Sequence, residues 1–434
     1  MKNYHRFGLL LLSVVFVLML NFSSAEVSDE SDYLDELFTE DEYPPDMDTL
    51  EEFIQSYYLL LDSNEYLNRF RFINKDKNLF QNDAKTLKPF YEKLLELRSG
   101  KRDRVTIYQL GDSHIQSGYF PGTARASLQK YYGNAGRGLI FPLKIAGTNQ
   151  PDDFKISSTS GLSRNTSDRG IGGFALNAAS KSAMEIGTNN FFNTDNSFNK
   201  ISVISSLPGL APNADVSGVT NKTELWNGLS YKSQMWNTPL SKISLGLEGE
   251  SSTLYGLILE KQTPGLLYHS AGINGAGFYN LLDSPNLFKQ LGELAPDLLI
   301  ISLGTNDAQG KYRNDQFLAN LTRFWQLLSS YCPNTPVLFT FPPDSNKKGK
   351  HNGDLEKLEK TLADFAKQHD CAWWDLGDVM GGKGSINKWR KEQMASKDYL
   401  HYTPKGYMLQ GYLFYQAFVK SYKHFSENAG VKER

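Results

Sequence analysis

The sequence of 434 residues contains only two cysteines, Cys332 and Cys371. Both come just before predicted strands, so both are expected at the same edge of one sheet. Two interpretations stay open: in an oxidising compartment the pair forms a disulfide, or both are buried thiols. No group of histidines and cysteines has the spacing of metal ligands, so a metal site is not expected.

Long apolar segments are also scarce. The N-terminal run at 7–20 is shorter than the roughly 18 to 20 residues that a membrane span needs, and no later run reaches that length. Lys2 and Arg6 precede this run and small residues follow it at 23–25, which predicts a secretory signal peptide cleaved after residue 25. An uncleaved anchor is the alternative. There is no cysteine near the cleavage site, so a lipid anchor is not indicated. The sequence therefore predicts a soluble periplasmic or secreted protein.

Positive charge is missing from one segment. Residues 26–52 contain 13 Asp or Glu and no Lys or Arg, which predicts a disordered or loosely attached acidic leader. The full chain has a net charge of −2. When this segment, Lys2 and Arg6 are left out, the remainder has 44 basic and 35 acidic residues and is therefore basic. The basic remainder is either an ordinary solvated surface or a face that meets an anionic polymer. No RNA- or DNA-binding motif is present, so nucleic acid is not expected as a partner.

The order of helical and strand patterns predicts one α/β domain interrupted by a β-rich insertion. Residues 146–252 are rich in Ser, Asn, Thr and Gly and alternate as short strands, which favours an all-β, sandwich-like domain. Helices and strands alternate on both sides, which predicts a parallel, doubly wound sheet.

The predicted strands of this sheet are 105–110, 254–260, 266–269, 298–302, 337–341 and 372–375. The predicted helices are 53–61, 87–97, 120–132, 314–330, 354–368 and 403–425. The predicted segments are a signal peptide (1–25), the leader (26–52), a helical extension (53–100), the α/β domain in two parts (101–145 and 253–425), the inserted β domain (146–252) and a tail (426–434).

Ser113 is the most informative position. It lies between the predicted strand 105–110 and the predicted helix 120–132, where a strand turns into a helix. Side chains at such a turn stand at the carboxyl edge of a parallel sheet, where open α/β folds place their chemistry. Backbone N–H groups at the helix start are suited to stabilise an anion.

A serine hydroxyl is a weak nucleophile and needs a base that a third group orients. His401 is the best-placed histidine, because it follows Asp398 by three residues and precedes Pro404, which suits the start of a helix. Asp398 would accept the Nδ1 proton and leave Nε2 facing Ser113. The alternative is a capping aspartate beside a surface histidine.

Two glycine-containing turns follow other predicted strands. In residues 304–307, Gly-Thr-Asn-Asp, the Asn306 amide would donate to an oxyanion, unless this is a plain strand-ending turn. Residues 270–277 contain three glycines, which let the backbone approach a ligand so that one N–H acts as a donor. The chain has no G-x-G-x-x-G, no Walker A motif and no G-x-S-x-G, so nucleotide binding and an α/β-hydrolase elbow are not supported.

Together these segments resemble the SGNH (GDSL-like) hydrolase family. The resemblance covers about residues 101–145 and 253–425 and implies a flavodoxin-like three-layer fold. The four blocks occur in the family's order: Gly111-Asp112-Ser113, Gly275, Gly304-x-Asn306-Asp307 and Asp398-x-x-His401.

The resemblance also implies roles for these residues. Ser113 would be the nucleophile, His401 the general base and Asp398 the residue that orients it. The N–H groups of Ser113 and Gly275 and the side chain of Asn306 would form the oxyanion hole, with Gly275 chosen over Gly272. Such a mechanism requires no metal and no organic cofactor.

His114 stands where the GDSL name expects Leu, and it is not expected to be the base, because neighbours at a helix start point in different directions. Together with the insertion and the Asn-Gly-Ala stretch at 274–276, it makes the chain similar to the bacterial peptidoglycan O-acetylesterase subgroup, whose insert resembles a carbohydrate-binding module. Trp226, Tyr231 and Trp236 then either stack on sugar rings or fill the core of the insert.

The resulting hypothesis is an exported serine esterase that removes acetyl groups from polysaccharide, with peptidoglycan as the first candidate. Three alternatives remain: a broad esterase or lipase of the same fold, a polysaccharide O-acetyltransferase, and a non-catalytic glycan-binding protein.

Overall fold

The computed structural model describes residues 47–61, 64–428 and 430. The predicted signal peptide, residues 26–46 of the predicted leader and most of the predicted tail lie outside the described residues. The first described helix begins at Met47, within the segment that was expected to be leader up to residue 52.

The strands belong to two main sheets and one short hairpin. Numbered along the chain, they are β1 (Arg104–Gly111), β2 (Gly138–Ile140), β3 (Phe154–Asn165), β4 (Ala175–Thr188), β5 (Phe198–Ser206), β6 (Leu210–Ala214), β7 (Thr220–Trp226), β8 (Leu229–Leu240), β9 (Lys242–Gly249), β10 (Ser252–Glu260), β11 (Gly265–Gly272), β12 (Leu298–Ser302), β13 (Val337–Thr340), β14 (Asn346–Lys347), β15 (Lys350–His351) and β16 (Ala372–Trp374).

The helices precede, connect and follow these strands. They are α1 (Met47–Leu61), α2 (Asn64–Asn68), α3 (Asp83–Thr86), α4 (Lys88–Arg98), α5 (Ser113–Gln116), α6 (Tyr119–Tyr132), α7 (Pro285–Leu294), α8 (Thr305–Gln309), α9 (Asn314–Tyr331), α10 (Leu355–Gln368), α11 (Leu376–Val379), α12 (Ile386–Lys391) and α13 (Pro404–Asn428). Short 3-10 turns lie at Lys75–Lys77, Phe191–Asn193 and Phe278–Leu281.

In the described part of the chain, five parallel strands form the central sheet in the order β11-β1-β12-β13-β16. In terms of chain order this is 2-1-3-4-5, the flavodoxin-like arrangement. Alternate residues of each strand face opposite layers: Ile107 and Ile300 pack with α4, α6 and α13, whereas Leu110 and Ile301 pack with α7, α9 and α10. The predicted three-layer α/β fold is therefore confirmed.

The register of this sheet brings three strand ends level. Gly111 at the end of β1 pairs with Gly272 of β11 on one side and with Ser302 of β12 on the other. The turns that follow these three strands therefore begin at the same edge. Those turns contain the first three sequence blocks described above.

The remaining long strands form a nine-stranded antiparallel sheet, which runs β6-β9-β4-β10-β5-β8-β7, with β2 paired to β10 and β3 to β4. It has an apolar core of its own that includes Ile186, Val203 and Leu245. The predicted inserted β domain is present as this sheet.

One strand was assigned to the wrong sheet. Residues 254–260 were expected in the parallel sheet, but β10 pairs antiparallel with β2, β4 and β5. The strand is buried on both faces, because Leu257 and Leu259 face the β-domain core whereas Tyr255 and Ile258 face the α/β domain. Such a strand reads as a continuous apolar run in either kind of sheet, so its pattern does not reveal its partners. The β domain thus extends from β2 to β10, beyond the predicted 146–252.

A buried charge cluster joins the two domains. The carboxylate of Asp153, just before β3, accepts hydrogen bonds from Arg125 of α6 at 2.8 Å and from Arg137 at 2.9 and 3.0 Å. All three side chains are at most 4% exposed. Burial alone would raise the pKa of Asp153, but the two guanidinium groups outweigh it and hold that pKa below its usual range.

Replacing Asp153 with asparagine is expected to lower the free energy of unfolding by about 3 kcal/mol or more at neutral pH, because two buried cations lose their counter-charge. A group whose pKa is depressed on folding stabilises the fold above its unfolded pKa, so the effect should shrink as the pH falls below about 4. Urea denaturation at several pH values measures both. Asp370→Asn, which removes an exposed ion pair with Lys85, is the control and should cost under about 1 kcal/mol. An equal loss in both variants would contradict the prediction.

Both cysteines are free and buried, so the second of the two interpretations holds for this structure. Cys332 follows α9 and Cys371 precedes β16. Burial raises the pKa of Cys332 to about 11, and burial together with the nearby Asp370 raises that of Cys371 to about 12. Both are therefore thiols at neutral pH.

Candidate active site

Ser113 is the first residue of α5. A single residue, Asp112, separates it from Gly111 at the end of β1. Asp112 caps this helix, because its Oδ1 accepts the backbone N–H of His114 at 3.0 Å. The cap fixes the sharp change of direction between strand and helix. Ser113 is consequently held at the carboxyl edge of the sheet, where it is 9% exposed.

Asp398 and His401 meet in a tight turn before α13. Oδ1 of Asp398 accepts the backbone N–H groups of Leu400 and His401, at 2.9 and 3.0 Å. Its other oxygen, Oδ2, lies 2.6 Å from Nδ1 of His401. Tyr399 allows the turn by adopting a φ of +55°. The spacing Asp-x-x-His thus lets one carboxylate hold both the backbone and the ring of the histidine.

The three side chains form one hydrogen-bonded line. Nε2 of His401 lies 3.0 Å from Oγ of Ser113. Because an ionised carboxylate only accepts hydrogen bonds, Nδ1 of His401 carries the proton and Nε2 is left to accept one from the serine. His401 is 4% exposed and the Asp398 side chain 18%. The structure therefore brings together Ser113, His401 and Asp398 with the partners that the sequence predicted.

The charge state of Asp398 follows from its partners. Burial opposes ionisation, but the hydrogen bond and charge of His401 and the N–H groups of Leu400 and His401 lower the pKa of Asp398 to about 2. The carboxylate is ionised at neutral pH. It can therefore stabilise a positive charge on the imidazole.

Asn306 lies in α8, directly after β12. Its Nδ2 donates to the carbonyl of Ala276 at 3.0 Å and lies 3.5 Å from Oδ2 of Asp112, the residue before Ser113. The side chain thus connects the turn that contains Gly275 to the nucleophile turn. The structure places all three predicted oxyanion donors in adjoining turns at one sheet edge.

The two candidate glycines have different surroundings. A Cβ on Gly272 would come within 2.0 Å of the backbone nitrogen of Gln116, so this glycine is required for β11 to pack against α5. Gly275 lies further along the turn, is half-buried and has a φ of +71°. The close packing explains Gly272 without a role in binding, which favours Gly275 as the donor.

Asp112 is a second carboxyl group close to the hydroxyl of Ser113. It is 1% exposed, and burial raises its pKa to about 7 although the His114 N–H, the charge of His401 and the Thr305 hydroxyl oppose the shift. Its contacts reach the nucleophile turn and Asn306. Asp112 therefore organises the turns on both sides of the site.

The ring of His114 is not the hydrogen-bond partner of the Ser113 hydroxyl, which bonds to His401. Its Nδ1 lies 3.0 Å from the hydroxyl of Tyr407, and its ring centre lies 5.4 Å from that of His401. Burial, together with the charge of the neighbouring His401, lowers the pKa of His114 to about 3, although the charge of Asp398 opposes the shift. His114 is thus a neutral side chain packed behind His401.

The three aromatic residues of the β domain do not share one surface. Trp236 is 5% exposed and packs edge-on against Phe198, so for this residue the second interpretation, that it fills the core of the insert, holds. Trp226 and Tyr231 stack on each other at 4.6 Å between ring centres and are half-buried. Tyr231 and Trp236 are an odd number of residues apart in β8 and therefore lie on opposite faces of it, a signal that the sequence already contained.

Sequence reasoning missed a polar cluster beside the site. It consists of Gln116, Thr148, Asn149 and Asn274, which hydrogen-bond one another. These residues come from three separate segments and match no local motif. Only the Asn-Gly-Ala stretch at 274–276 pointed to part of it.

No group of three or more His, Cys, Asp or Glu side chains among the described residues could hold a metal ion. None of the helices in that part of the chain is long and apolar enough to cross a membrane.

The SGNH hydrolase fold is defined by two features that this structure has. One is a flavodoxin-like sheet with a serine after its first strand. The other is an Asp-x-x-His turn before the last helix that is hydrogen-bonded to this serine. Residues 244–409 match the model of the GDSL-like Lipase/Acylhydrolase family. The match includes Gly275, Asn306, Asp398 and His401, whereas Ser113 lies before it. Among curated proteins, none matches this sequence.

Solved structures give the more particular comparison. The chain is similar to a peptidoglycan O-acetylesterase, with 21% identity, a TM-score of 0.66 and coverage of 77% of this chain and 96% of the other. A lipase/acylhydrolase from Enterococcus faecalis has 20% identity and a TM-score of 0.27, covering 35% and 75% of the two chains. An acetylxylan esterase from Geobacillus stearothermophilus has 15% identity and a TM-score of 0.29, covering 37% and 73%. By its sheet order and by the first of these comparisons, the protein has an SGNH hydrolase fold, and this fold is similar to that of a peptidoglycan O-acetylesterase.

Proposed function

We propose that this protein is an exported serine esterase that removes O-acetyl groups from polysaccharide, with peptidoglycan as its substrate. The observation that carries the proposal is the line of Ser113, His401 and Asp398, with distances of 3.0 and 2.6 Å between the bonded atoms. The likeness to a peptidoglycan O-acetylesterase over 77% of the chain supports the choice of substrate. Export rests on the signal-peptide pattern of residues 1–25.

The site supports a two-step acyl transfer. Oγ of Ser113 attacks the acetyl carbonyl carbon while His401 accepts its proton, and Asp398 stabilises the imidazolium. The intermediate collapses when His401 protonates the departing sugar oxygen, which leaves an acetyl group on Ser113. A water that gives its proton to His401 then attacks this ester and releases acetate. Ser113 Oγ recovers its proton from His401.

The negative oxygen that develops in both steps needs hydrogen-bond donors. The N–H groups of Ser113 and Gly275 and the amide of Asn306 are the proposed donors. Nδ2 of Asn306 donates to the Ala276 carbonyl and lies close to Asp112, and these contacts hold the amide in a fixed orientation. Fixed donors stabilise the transition state without reorganisation.

Acetate release from O-acetylated peptidoglycan, compared with acetylated xylan and with long-chain acyl esters, tests the substrate. We expect the highest kcat/KM on peptidoglycan. We also expect this activity to be lost in Ser113→Ala. Preference for long acyl chains would indicate a broad esterase. Transfer of acetyl to a glycan acceptor without free acetate would indicate an acetyltransferase, and binding without turnover a glycan-binding protein.

Asn306→Ala is expected to lower kcat about 10²- to 10³-fold with little change in KM, because an oxyanion donor acts mainly in the transition state. Steady-state hydrolysis of a small acetyl ester measures both constants. Asn387→Ala, which changes an exposed asparagine whose amide bonds only to the nearby Gly384 carbonyl, is the matched control and should keep full activity. A loss below about tenfold in Asn306→Ala would remove this residue from the oxyanion hole.

A further inference from the structure

The side chain of Gln116 lies at the centre of the missed polar cluster. Gln116 is the last residue of α5 and is 2% exposed. Its Oε1 accepts the backbone N–H of Asn274 at 2.7 Å. Its Nε2 donates to Oγ1 of Thr148 at 2.7 Å and to Oδ1 of Asn149 at 2.8 Å, and also lies 3.0 Å from the Asn149 carbonyl. One buried amide therefore connects the nucleophile helix to two other segments.

Asn274 makes a second connection to the same partners. Its Nδ2 donates to Oδ1 of Asn149 at 2.8 Å and to Oγ1 of Thr148 at 3.2 Å. Thr148 and Asn149 lie in the segment between β2 and β3, both of which belong to the nine-stranded sheet. The β domain is thus hydrogen-bonded directly to the turn after β11.

This turn contains the proposed oxyanion donor, and its two flanks are anchored. Downstream of Gly275, the Ala276 carbonyl accepts the Asn306 amide at 3.0 Å. Upstream, the Ile273 N–H donates to the Gly111 carbonyl at 3.0 Å, and the Asn274 N–H donates to Gln116. Gln116 is thus the side chain that fixes the residue directly before Gly275.

We propose that Gln116 is a positioning residue for the oxyanion donor at Gly275, and that through Thr148 and Asn149 it links the β domain to the active site. This inference rests on the proposed esterase function. Glycine at 275 has a wide choice of backbone conformations, so its N–H direction depends on what holds its neighbours. Displacement of a catalytic donor by about 1 Å can cost roughly 10²-fold in rate.

Gln116→Met removes both hydrogen-bonding ends while nearly conserving volume. We expect kcat on p-nitrophenyl acetate to fall about 10- to 100-fold per active site with KM unchanged within about twofold. A fluorophosphonate titration counts the active sites, so that any loss of folded protein is removed from kcat. Gln129→Met is the matched control, since Gln129 is equally buried and bonds to the Gly136 and Leu266 carbonyls away from this cluster.

The inhibition constant of methylboronic acid provides a second readout, which a general loss of protein stability does not change. Oγ of Ser113 bonds to boron, its proton passes to His401, and an oxygen of the resulting tetrahedral boronate occupies the oxyanion position. Its inhibition constant should rise in proportion to the fall in kcat, because both depend on the same donor. In Gln129→Met both values should stay within about twofold of wild type.

The double variant Thr148→Val/Asn149→Ala tests the link to the β domain and keeps the proposal testable if Gln116→Met does not fold. It leaves the Gln116–Asn274 bond in place, so a smaller kcat loss of about 3- to 10-fold is expected. A kcat loss under threefold in Gln116→Met, a loss confined to KM, or an unchanged boronate constant would overturn the role of Gln116. Full activity in the double variant would overturn the link. A wild-type protein without Ser113-dependent hydrolysis would instead overturn the proposed function.

Discussion

Ser113→Ala is expected to reduce acetate release by at least about 10⁴-fold, because without the hydroxyl no acetyl-enzyme can form and only the residual effect of the surrounding site remains. The hydroxyl is bonded to His401 at 3.0 Å, and no other group among the catalytic side chains can replace it as the attacking atom at that place. Acetate release from O-acetylated peptidoglycan and hydrolysis of p-nitrophenyl acetate measure the loss.

The same substitution should leave the fold intact. The Ser113 side chain is small and makes one hydrogen bond, to His401, so the free energy of unfolding of the variant should change by only about 1 kcal/mol. Ser117→Ala is the matched control, since this buried serine directly follows the same short helix and donates to the His114 carbonyl. It should keep activity within about tenfold. Ser113→Ala turning over as fast as Ser117→Ala would show that another group is the nucleophile.

Asp398→Asn is expected to lower kcat about 10⁴-fold, as the loss of the carboxylate does in other serine triads. An amide NH₂ facing Nδ1 of His401 would force the proton to Nε2, so the ring could no longer accept a proton from Ser113. The variant also lacks the negative charge that stabilises the imidazolium. The pre-steady-state rate of acetyl-enzyme formation measures the effect directly.

The low pKa of Asp398 gives this variant a second signature. Its folded pKa of about 2 lies below the ordinary value, so its contribution to stability is present above about pH 4 and is lost as the pH falls towards 2. The difference in free energy of unfolding between wild type and Asp398→Asn should therefore shrink over that range. Asp283→Asn, at an exposed position, is the control. A difference that stays constant from pH 6 to pH 2.5 would contradict the assignment.

The catalytic line could be proposed from the sequence because each of its parts carries a local signal. Ser113 follows a buried apolar strand at a strand-to-helix turn, and Asp398 and His401 lie three residues apart before a proline that begins a helix. Residues this close along the chain also lie close together in the folded protein, because hydrogen bonds within one turn connect Asp398 to His401. The structure adds the distance that joins them.

Other features had no local signal. The pattern of residues 254–260 is that of a strand buried on both faces, and nothing within it distinguishes a parallel from an antiparallel partner. Gln116 reads as an ordinary polar residue after the nucleophile, because its partners at 148, 149 and 274 lie far away along the chain. Trp236 is different, because the alternation of residues along β8 is a local pattern and already places Trp236 and Tyr231 on opposite faces of the strand.

The sequence alone determined the class of fold, the order of the blocks and the chemistry available at each turn, because strand periodicity, helix starts and Asp-x-x-His spacing are properties of neighbouring residues. Only the tertiary structure decided which sheet β10 joins, that Cys332 and Cys371 are separate thiols, and that the β domain is hydrogen-bonded to the turn beside the nucleophile. These depend on strand pairing and on contacts between segments that lie from tens of residues to more than 150 residues apart. At such separations packing and hydrogen-bond satisfaction, and not local preference, select the arrangement.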